Sequence, residues 1–126
     1  MSDVIGVGVD LCEVGRIRRT LERTPGFVDR VYTQAEQGYC RSANDPTARF
    51  AVRFAAKEAV LKALGVGLGA CPLRDIEVVR DTSGAPSLVL HGAAATLAAE
   101  RGVTAWQISL THTATMAEAV VIAVGD

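Results

Sequence analysis

The stretch DPTARFAVRFAAKEAVLKALG, residues 45–65, predicts the strongest helix of the chain. Asp45 followed by Pro46 marks its start, because a carboxylate can cap a helix and proline suits the first helical position. The interior is rich in alanine, and Gly65 stands where a C-terminal glycine cap belongs. We therefore expect one helix that runs from residue 46 to Leu64.

The residues before this helix predict a strand followed by shorter helices. Residues 4–11 alternate valine and isoleucine with glycine, which is typical of a strand. Gly6 and Gly8 weaken a strand interior, so they mark places where another backbone comes close. Apolar residues at helical spacing follow, up to a break at residues 24–26, TPG. A capping box at residues 33–36, TQAE, starts a further short helix.

The second half of the chain is predicted to be rich in strands. Residues 75–80 and 87–91 form a candidate hairpin around the turn TSG, and an alanine-rich helix covers about residues 93–100. Residues 106–111 alternate in polarity like a half-buried strand, and the apolar run at 116–124 indicates a central strand. The fold class is therefore α+β: an N-terminal strand and helices with a mostly antiparallel sheet.

Composition restricts the classes of partner and compartment. The 126 residues fit one domain, residues 1–126, and a net charge of -1 gives no overall attraction to nucleic acid or an anionic membrane. The three cysteines have no CxxC or Cys/His spacing, which argues against a disulfide framework and a structural zinc site. No apolar run approaches the roughly 20 residues of a membrane span, and no signal-peptide pattern opens the sequence. We expect a cytoplasmic protein.

Charged residues on the predicted helix form two pairs, each four residues apart. Glu58 and Lys62 share one face, and Arg53 and Lys57 share the neighbouring face. Lys57 and Lys62 are the only lysines among 13 basic residues, which suggests a role that arginine cannot fill. One carboxylate among three cations suits a metal-bound polyphosphate. The competing interpretation is a solvated ion pair that contributes about a few tenths of a kcal/mol.

Other polar residues have both a functional and a structural interpretation. Asp10 ends the first strand, where it either projects into a cleft or caps the next helix. His112 is a candidate, although a lone histidine beside threonine is more often structural, and His91 is interpreted as structural or exposed. GVGVDL at residues 6–11 lacks the third glycine of a dinucleotide site, and GVGLGA at 65–70 lacks the lysine of a P-loop. The sequence has no nucleophile elbow.

Five segments follow one another in an order that is typical of one family. They are GVGVDL at 6–11 with Glu13 and Arg16-Ile17, RFAVRFAAKEAVLKALG at 49–65, DIEV at 75–78, GAP at 84–86 and SLTHT at 109–113. Together, over nearly the whole chain, they resemble the holo-[acyl-carrier-protein] synthases, the small stand-alone branch of the 4'-phosphopantetheinyl transferases. The resemblance implies the fold of that family.

The resemblance also implies an activity and a metal. The family transfers the 4'-phosphopantetheine of coenzyme A to a serine of apo acyl carrier protein, which gives holo carrier and adenosine 3',5'-bisphosphate. By analogy, Asp10 and Glu58 are the carboxylates that bind Mg2+, and Lys62 is the lysine of the catalytic helix. All three are expected to be catalytic. The proton of the serine would pass to Glu58 or to a metal-ordered water.

Further residues are assigned to binding by the same resemblance. Arg53 and Lys57 fall in the coenzyme A-binding helix of the family, and Pro86 and His112 fall in segments that line its nucleotide site. Arg16 matches the arginine that meets the acidic carrier protein. Arg19 and Arg23 share its face at i+3 and i+7, so a basic docking face of three arginines is expected. The family is a homotrimer with each active site at a subunit boundary.

Two other function classes remain open at this point. A non-catalytic trimeric module that binds coenzyme A or acyl carriers would bind without turnover, but it gives no reason for both Asp10 and Glu58. Another metal-dependent phosphoesterase would normally need more metal ligands than these two carboxylates. The sequence does not distinguish a carrier of fatty acid synthesis from one of polyketide synthesis, and it does not indicate whether acylated coenzyme A is accepted.

Overall fold

A computed structural model of the chain describes residues 2–126. Within that range, five strands, five α-helices and one 3-10 turn succeed one another. They are β1 (Asp3–Glu13), α1 (Val14–Arg23), α2 (Phe27–Val31), α3 (Gln34–Arg41), α4 (Thr47–Ala63), the turn Leu73–Asp75, β2 (Ile76–Arg80), β3 (Pro86–Leu90), α5 (Gly92–Glu100), β4 (Ala105–His112) and β5 (Met116–Gly125). The α+β class predicted from the sequence is confirmed.

Strand β5 lies between β1 and β4 in a three-stranded antiparallel sheet. Helix α4 packs on one face of this sheet and contacts all three strands. Four small or β-branched residues of β5 are buried beneath it: Ala117, Ala119, Val121 and Ala123. The apolar run near the C-terminus is therefore the central strand, as predicted.

Two glycines of β1 allow α4 to approach the sheet closely. A Cβ atom on Gly6 would lie 1.8 Å from the carbonyl oxygen of Ala63, and one on Gly8 would lie 1.8 Å from that of Ala59. Because neither backbone can move without breaking its hydrogen bonds, any side chain here would separate helix and sheet. This confirms the close approach that the glycines predicted.

The C-terminal end of α4 agrees with the sequence signals, and its N-terminal end is shifted by one residue. The Asp45 carboxylate accepts a hydrogen bond from the Thr47 amide at 3.0 Å, although the helix starts one residue later than predicted. Gly65 follows the helix with a φ of 71°, which is the left-handed conformation of a glycine cap. No helix among residues 2–126 is long and apolar enough to cross a membrane.

A buried ion pair joins the hairpin β2–β3 to the helices. Lys57 on α4 donates to Glu36 Oε1 at 2.9 Å, and also to the carbonyl oxygens of Leu73 and Ile76. The other carboxylate oxygen of Glu36 accepts from the Val78 amide of β2 at 3.0 Å. Glu36 also completes the predicted capping box of α3. This network therefore connects α3, α4 and β2 in the core.

Three local predictions were wrong. Helix α2, residues 27–31, was not predicted, because five residues are too few for a periodic apolar pattern. Asp75 ends a 3-10 turn instead of starting β2, and its carboxylate accepts from the Ala93 amide at the start of α5. Strand β3 starts at Pro86, where a proline is tolerated because this hairpin is only two strands wide.

Candidate active site

Asp10 and Lys62 meet on the β1 side of α4. Lys62 Nζ donates to Asp10 Oδ1 at 3.0 Å and to the carbonyl oxygen of Val9 at 2.9 Å. The Asp10 side chain is 16% exposed and that of Lys62 is 53% exposed. Asp10 pairs with Ala119 of the central strand, so it projects from the face of the sheet that α4 covers. The ion pair therefore lies at the rim of the core and remains open to a ligand.

Glu58 lies one helical turn before Lys62 on the same flank of α4. Partial burial raises the pKa of Glu58, and the neighbouring Asp10 carboxylate raises it further, whereas Lys62 and Arg16 oppose the rise. Two carboxylates thus repel each other beside one lysine, which is a site that a cation would stabilise. We call Asp10, Glu58 and Lys62 the acidic cluster.

The acidic cluster fits a magnesium ion. Mg2+ prefers oxygen ligands and commonly binds through one or two carboxylates together with phosphates and waters. Within residues 2–126, aspartate, glutamate, histidine and cysteine side chains do not gather in groups of three or more that could hold a metal. The chain would therefore supply the two carboxylates, and a phosphate-bearing substrate would supply further oxygens.

A second polar site lies on the other flank of α4. It is a cavity of about 260 Å³ lined by Tyr39, Arg49, Val52, Arg53, Arg80, Leu110 and His112. Pro86 pairs with Arg80 across the β2–β3 hairpin, so it lies at the edge of this cavity. We call this site the arginine pocket. Its three guanidinium groups make it suited to an anion such as phosphate.

The acidic cluster and the arginine pocket do not meet within one chain. Asp10 lies on β1 and His112 lies on β4, which are the two outer strands of the sheet. With β5 between them, these strands are about 10 Å apart, and α4 also separates the two sites. Within one chain the two sites therefore lie on opposite flanks of α4 and form separate binding surfaces.

Comparisons with known proteins cover nearly the whole chain. A family model described as the 4'-phosphopantetheinyl transferase superfamily matches residues 6–123. The chain belongs to this superfamily. The holo-[acyl-carrier-protein] synthase of Moorella thermoacetica is 44% identical over 119 residues, which are 94% of this chain and 93% of the relative. That of Streptomyces avermitilis is 47% identical over 122 residues, or 97% and 98% of the two chains.

A solved structure of the superfamily has the same fold. The holo-(acyl-carrier-protein) synthase from Bacillus anthracis, in complex with CoA (3',5'-ADP), superimposes with a TM-score of 0.81 at 30% identity and covers 98% of each chain. The phosphopantetheinyl transferase fold expected from the sequence motifs is therefore confirmed.

The structure separates the family-derived binding residues into two groups. Arg53 and His112 line the arginine pocket, and Pro86 borders it through Arg80. Lys57 does not: its side chain is 0% exposed, and its ammonium group is used by Glu36 and two carbonyl oxygens. The expectation that Lys57 contacts coenzyme A does not fit this position, because α3 and β2 enclose the side chain.

The three arginines of the predicted docking face lie on the exposed side of α1. Val14 and Ile17 bury the opposite side of this helix, as their spacing predicted. Arg16 is close enough to the acidic cluster to lower the pKa of Glu58, so the first turn of α1 adjoins that cluster. Arg19 and Arg23 continue the exposed face away from it.

Residues of the arginine pocket were partly missed by sequence reasoning. Tyr39, Arg49 and Arg80 come from α3, α4 and β2, and no motif or spacing connects them. Arg49 is the first residue of the family segment at 49–65, and no role was predicted for it. The available signal was the position of Arg49, four residues before Arg53 on the same face of α4.

Proposed function

We propose that the protein is a holo-[acyl-carrier-protein] synthase, which transfers 4'-phosphopantetheine from coenzyme A to a serine of apo acyl carrier protein. The observation that carries this proposal is the acidic cluster, in a chain that matches such synthases over nearly its full length. The Bacillus anthracis relative in complex with CoA (3',5'-ADP) supports coenzyme A as the donor. The products are the holo carrier and adenosine 3',5'-bisphosphate.

Asp10 and Glu58 would hold Mg2+ in this proposal. When bound, the ion would offset the negative charge of the coenzyme A pyrophosphate. The support is chemical: both ligands are carboxylates, they repel each other, and Glu58 has a pKa raised by burial and by Asp10.

Lys62 and Glu58 would carry the chemical step. The serine oxygen forms a bond to the phosphorus that bears pantetheine, and the bond from that phosphorus to the bisphosphate leaving group breaks. Two of the three ammonium protons of Lys62 bind Asp10 and Val9, so the third can stabilise the charge on the leaving group. The serine proton would pass to Glu58 or to a nearby water.

A homotrimer would bring the two polar sites together across subunit boundaries. The sheet face away from α4 carries exposed apolar side chains of β1, with Val7, Val9 and Leu11 between 47% and 59% exposed. They lie beside Ile122, Val120 and Glu118 of β5. Neighbouring exposed apolar side chains of this kind often mark a surface that binds another protein chain. We propose that it is covered by neighbouring subunits, and that coenzyme A spans the arginine pocket of one subunit and the acidic cluster of another.

Light scattering tests the assembly. We expect a trimer at micromolar concentration, and Val9→Asp should dissociate it, because a buried carboxylate in an apolar interface is costly. A fully active monomer would contradict the trimer and the shared active site, and would leave the transfer activity itself intact.

The proposal also covers recognition of the carrier protein and the cellular compartment. The exposed arginines Arg16, Arg19 and Arg23 would attract an acidic carrier of fatty acid or polyketide synthesis and place its serine near the acidic cluster. Cys12, Cys40 and Cys71 are free thiols, which suits the reducing cytoplasm.

The decisive experiment for the activity is a mass measurement. The protein is incubated with coenzyme A, magnesium chloride and an apo carrier, and the intact carrier is weighed. We expect its mass to increase by one phosphopantetheine group, and Asp10→Ala and Glu58→Ala to abolish the increase while each remains folded. Binding of coenzyme A with no mass increase would instead identify a non-catalytic binding module.

A further inference from the structure

The ring of Tyr39 lies among the three guanidinium groups of the arginine pocket. The Cζ atoms of Arg49, Arg53 and Arg80 are 4.2, 4.4 and 5.2 Å from the centroid of this ring. These distances are within the range in which an aromatic ring attracts a cation. Because the arginines come from α4 and β2 and the tyrosine comes from α3, one side chain connects three elements at this site.

Three like charges this close together repel one another unless something offsets them. Among residues 2–126, no carboxylate forms a salt bridge with Arg49, Arg53 or Arg80. Arg49 donates to the Tyr39 carbonyl oxygen and to Ser42 Oγ, both at 2.8 Å. Neither acceptor carries a full charge, so the electron-rich ring of Tyr39 is the common partner that the three guanidinium groups share.

Arg53 shows that the pocket has unused hydrogen-bonding capacity. Its side chain is 97% buried, since only 3% is exposed, and its Nε has no hydrogen-bond partner within the described part of the chain. One further contact, from Arg53 to the Arg49 carbonyl oxygen, is long at 3.4 Å. A buried donor without a partner costs free energy, and an anion bound to the guanidinium groups that line the cavity would offset that cost.

We propose that Tyr39 is a positioning residue, whose ring gathers Arg49, Arg53 and Arg80 into a receptor for a phosphate group. The inference rests on the proposed function in one respect: the phosphate belongs to coenzyme A and to the bisphosphate product. Tyr39 itself acts through the arginines. The pocket that it organises is on the flank of α4 opposite the acidic cluster, so it sets affinity for the donor and leaves the chemical step unchanged.

The ring and the hydroxyl group of Tyr39 can be tested separately. Within residues 2–126 the hydroxyl group makes no hydrogen bond, whereas the ring contacts all three arginines. Tyr39→Phe therefore keeps the aromatic ring that contacts the arginines and serves as the matched control. Tyr39→Leu retains an apolar side chain but removes the π-electrons that attract the guanidinium groups.

Steady-state kinetics give the first test. We expect Tyr39→Leu to raise KM for coenzyme A about tenfold, which corresponds to about 1.4 kcal/mol, and to change kcat and the KM for the carrier less than about twofold. Tyr39→Phe should match the parent protein. A Leu variant with an unchanged KM for coenzyme A would overturn the inference. So would equal losses in kcat and in both KM values, which would indicate a general structural defect.

Binding of adenosine 3',5'-bisphosphate, measured by calorimetry without carrier or metal, gives a test that does not depend on turnover. The parent and Tyr39→Phe should bind it equally, and Tyr39→Leu about tenfold more weakly. If the three affinities follow this order but the parent transfers nothing to the carrier, the proposed function fails and the role of Tyr39 stands. If the parent does not bind it, or all three proteins bind it equally, the role of Tyr39 is refuted even where transfer is observed.

Discussion

Lys57 and Lys62 are the only two lysines of the chain, they lie five residues apart on α4, and they face opposite flanks of that helix. Lys57 is completely buried, whereas 53% of the Lys62 side chain is exposed. Each pairs with one carboxylate, Glu36 or Asp10, at 2.9 or 3.0 Å. The residue type and the pairing are alike, so the difference in role comes from the surroundings.

The surroundings of Lys57 use up its donors. Glu36 and the carbonyl oxygens of Leu73 and Ile76 surround the ammonium group, and burial lowers the pKa of Lys57 while the Glu36 charge opposes this. Lys62 makes two hydrogen bonds and keeps part of its ammonium group in solvent. A closed ion pair of this kind stabilises a fold, and an open one beside a second carboxylate is available for chemistry.

The largest expected effect is on stability at the closed pair. Lys57→Met should lower the free energy of unfolding by about 3–5 kcal/mol, because it leaves the Glu36 carboxylate buried without a partner. The measurement is urea denaturation, with Lys62→Met as the matched control, for which a loss below about 1 kcal/mol is expected. The double variant Glu36→Gln with Lys57→Met should recover part of the loss. Equal losses of unfolding free energy in Lys57→Met and Lys62→Met would contradict the assignment of a structural role to Lys57 alone.

The next effect is on catalysis at the open pair. Lys62→Ala should lower kcat about 100-fold while coenzyme A binding and thermal stability change little, because its charge matters most as the leaving group develops. Lys62→Arg should restore the rate only in part, since a planar guanidinium group does not replace a compact ammonium ion. Rate and binding constants are measured on the same preparations. A parallel loss of coenzyme A affinity would make Lys62 a simple binding residue.

A smaller effect should show whether the exposed flank around Lys62 extends to Arg16 on α1. Arg16 adjoins the acidic cluster, so Arg16→Glu is expected to raise KM for the carrier about tenfold and to leave KM for coenzyme A unchanged. Carrier kinetics of the parent should weaken with added salt, and those of the variant should weaken less. If neither carrier kinetics nor salt dependence changes, the carrier docks elsewhere, with residues 33–46 as the next candidate.

The smallest effect should act on both flanks alike, because Asp45 accepts a hydrogen bond from Thr47, the first residue of the helix that carries both lysines. Hydrogen bonds from the Thr47 amide and hydroxyl group, with Arg18, lower the pKa of Asp45 from 3.8 to about 2. Its stabilising contribution is therefore complete above about pH 4 and is lost as the pH falls toward about 2. Asp45→Asn should flatten the pH dependence of unfolding over this window. An unchanged profile would show that other carboxylates dominate acid unfolding.

Much of the fold could be predicted from local patterns. The capping box at Thr33, the cap at Gly65 and the two glycines of β1 each indicated a backbone feature that the structure contains. These signals are local, because a turn, a cap or a close approach restricts the residue at that position. Helix α2 had no such signal, and its five residues are stabilised by packing instead.

The candidate site was predictable only where one element carries it. Glu58 and Lys62 were assigned to one face of α4 by their spacing alone, because helical geometry places residues i and i+4 together. That Asp10 joins them required the pairing of β1 with β5 beneath the helix. The arginine pocket collects side chains from α3, α4, β2 and β4, and only Arg49 and Arg53, four residues apart on α4, have a spacing that places them together.

The sequence by itself determined the order of the elements apart from α2, the end of α4 at Gly65, the central position of β5 and, through its motifs, the family. Only the tertiary structure decided that Lys57 is a core residue, that the ring of Tyr39 lies beside three arginines, and that the two polar sites lie on opposite flanks of one helix. The physical reason is the range of the interactions. Periodicity and capping depend on residues within about one helical turn, whereas burial and charge pairing depend on segments that meet only after the chain has folded.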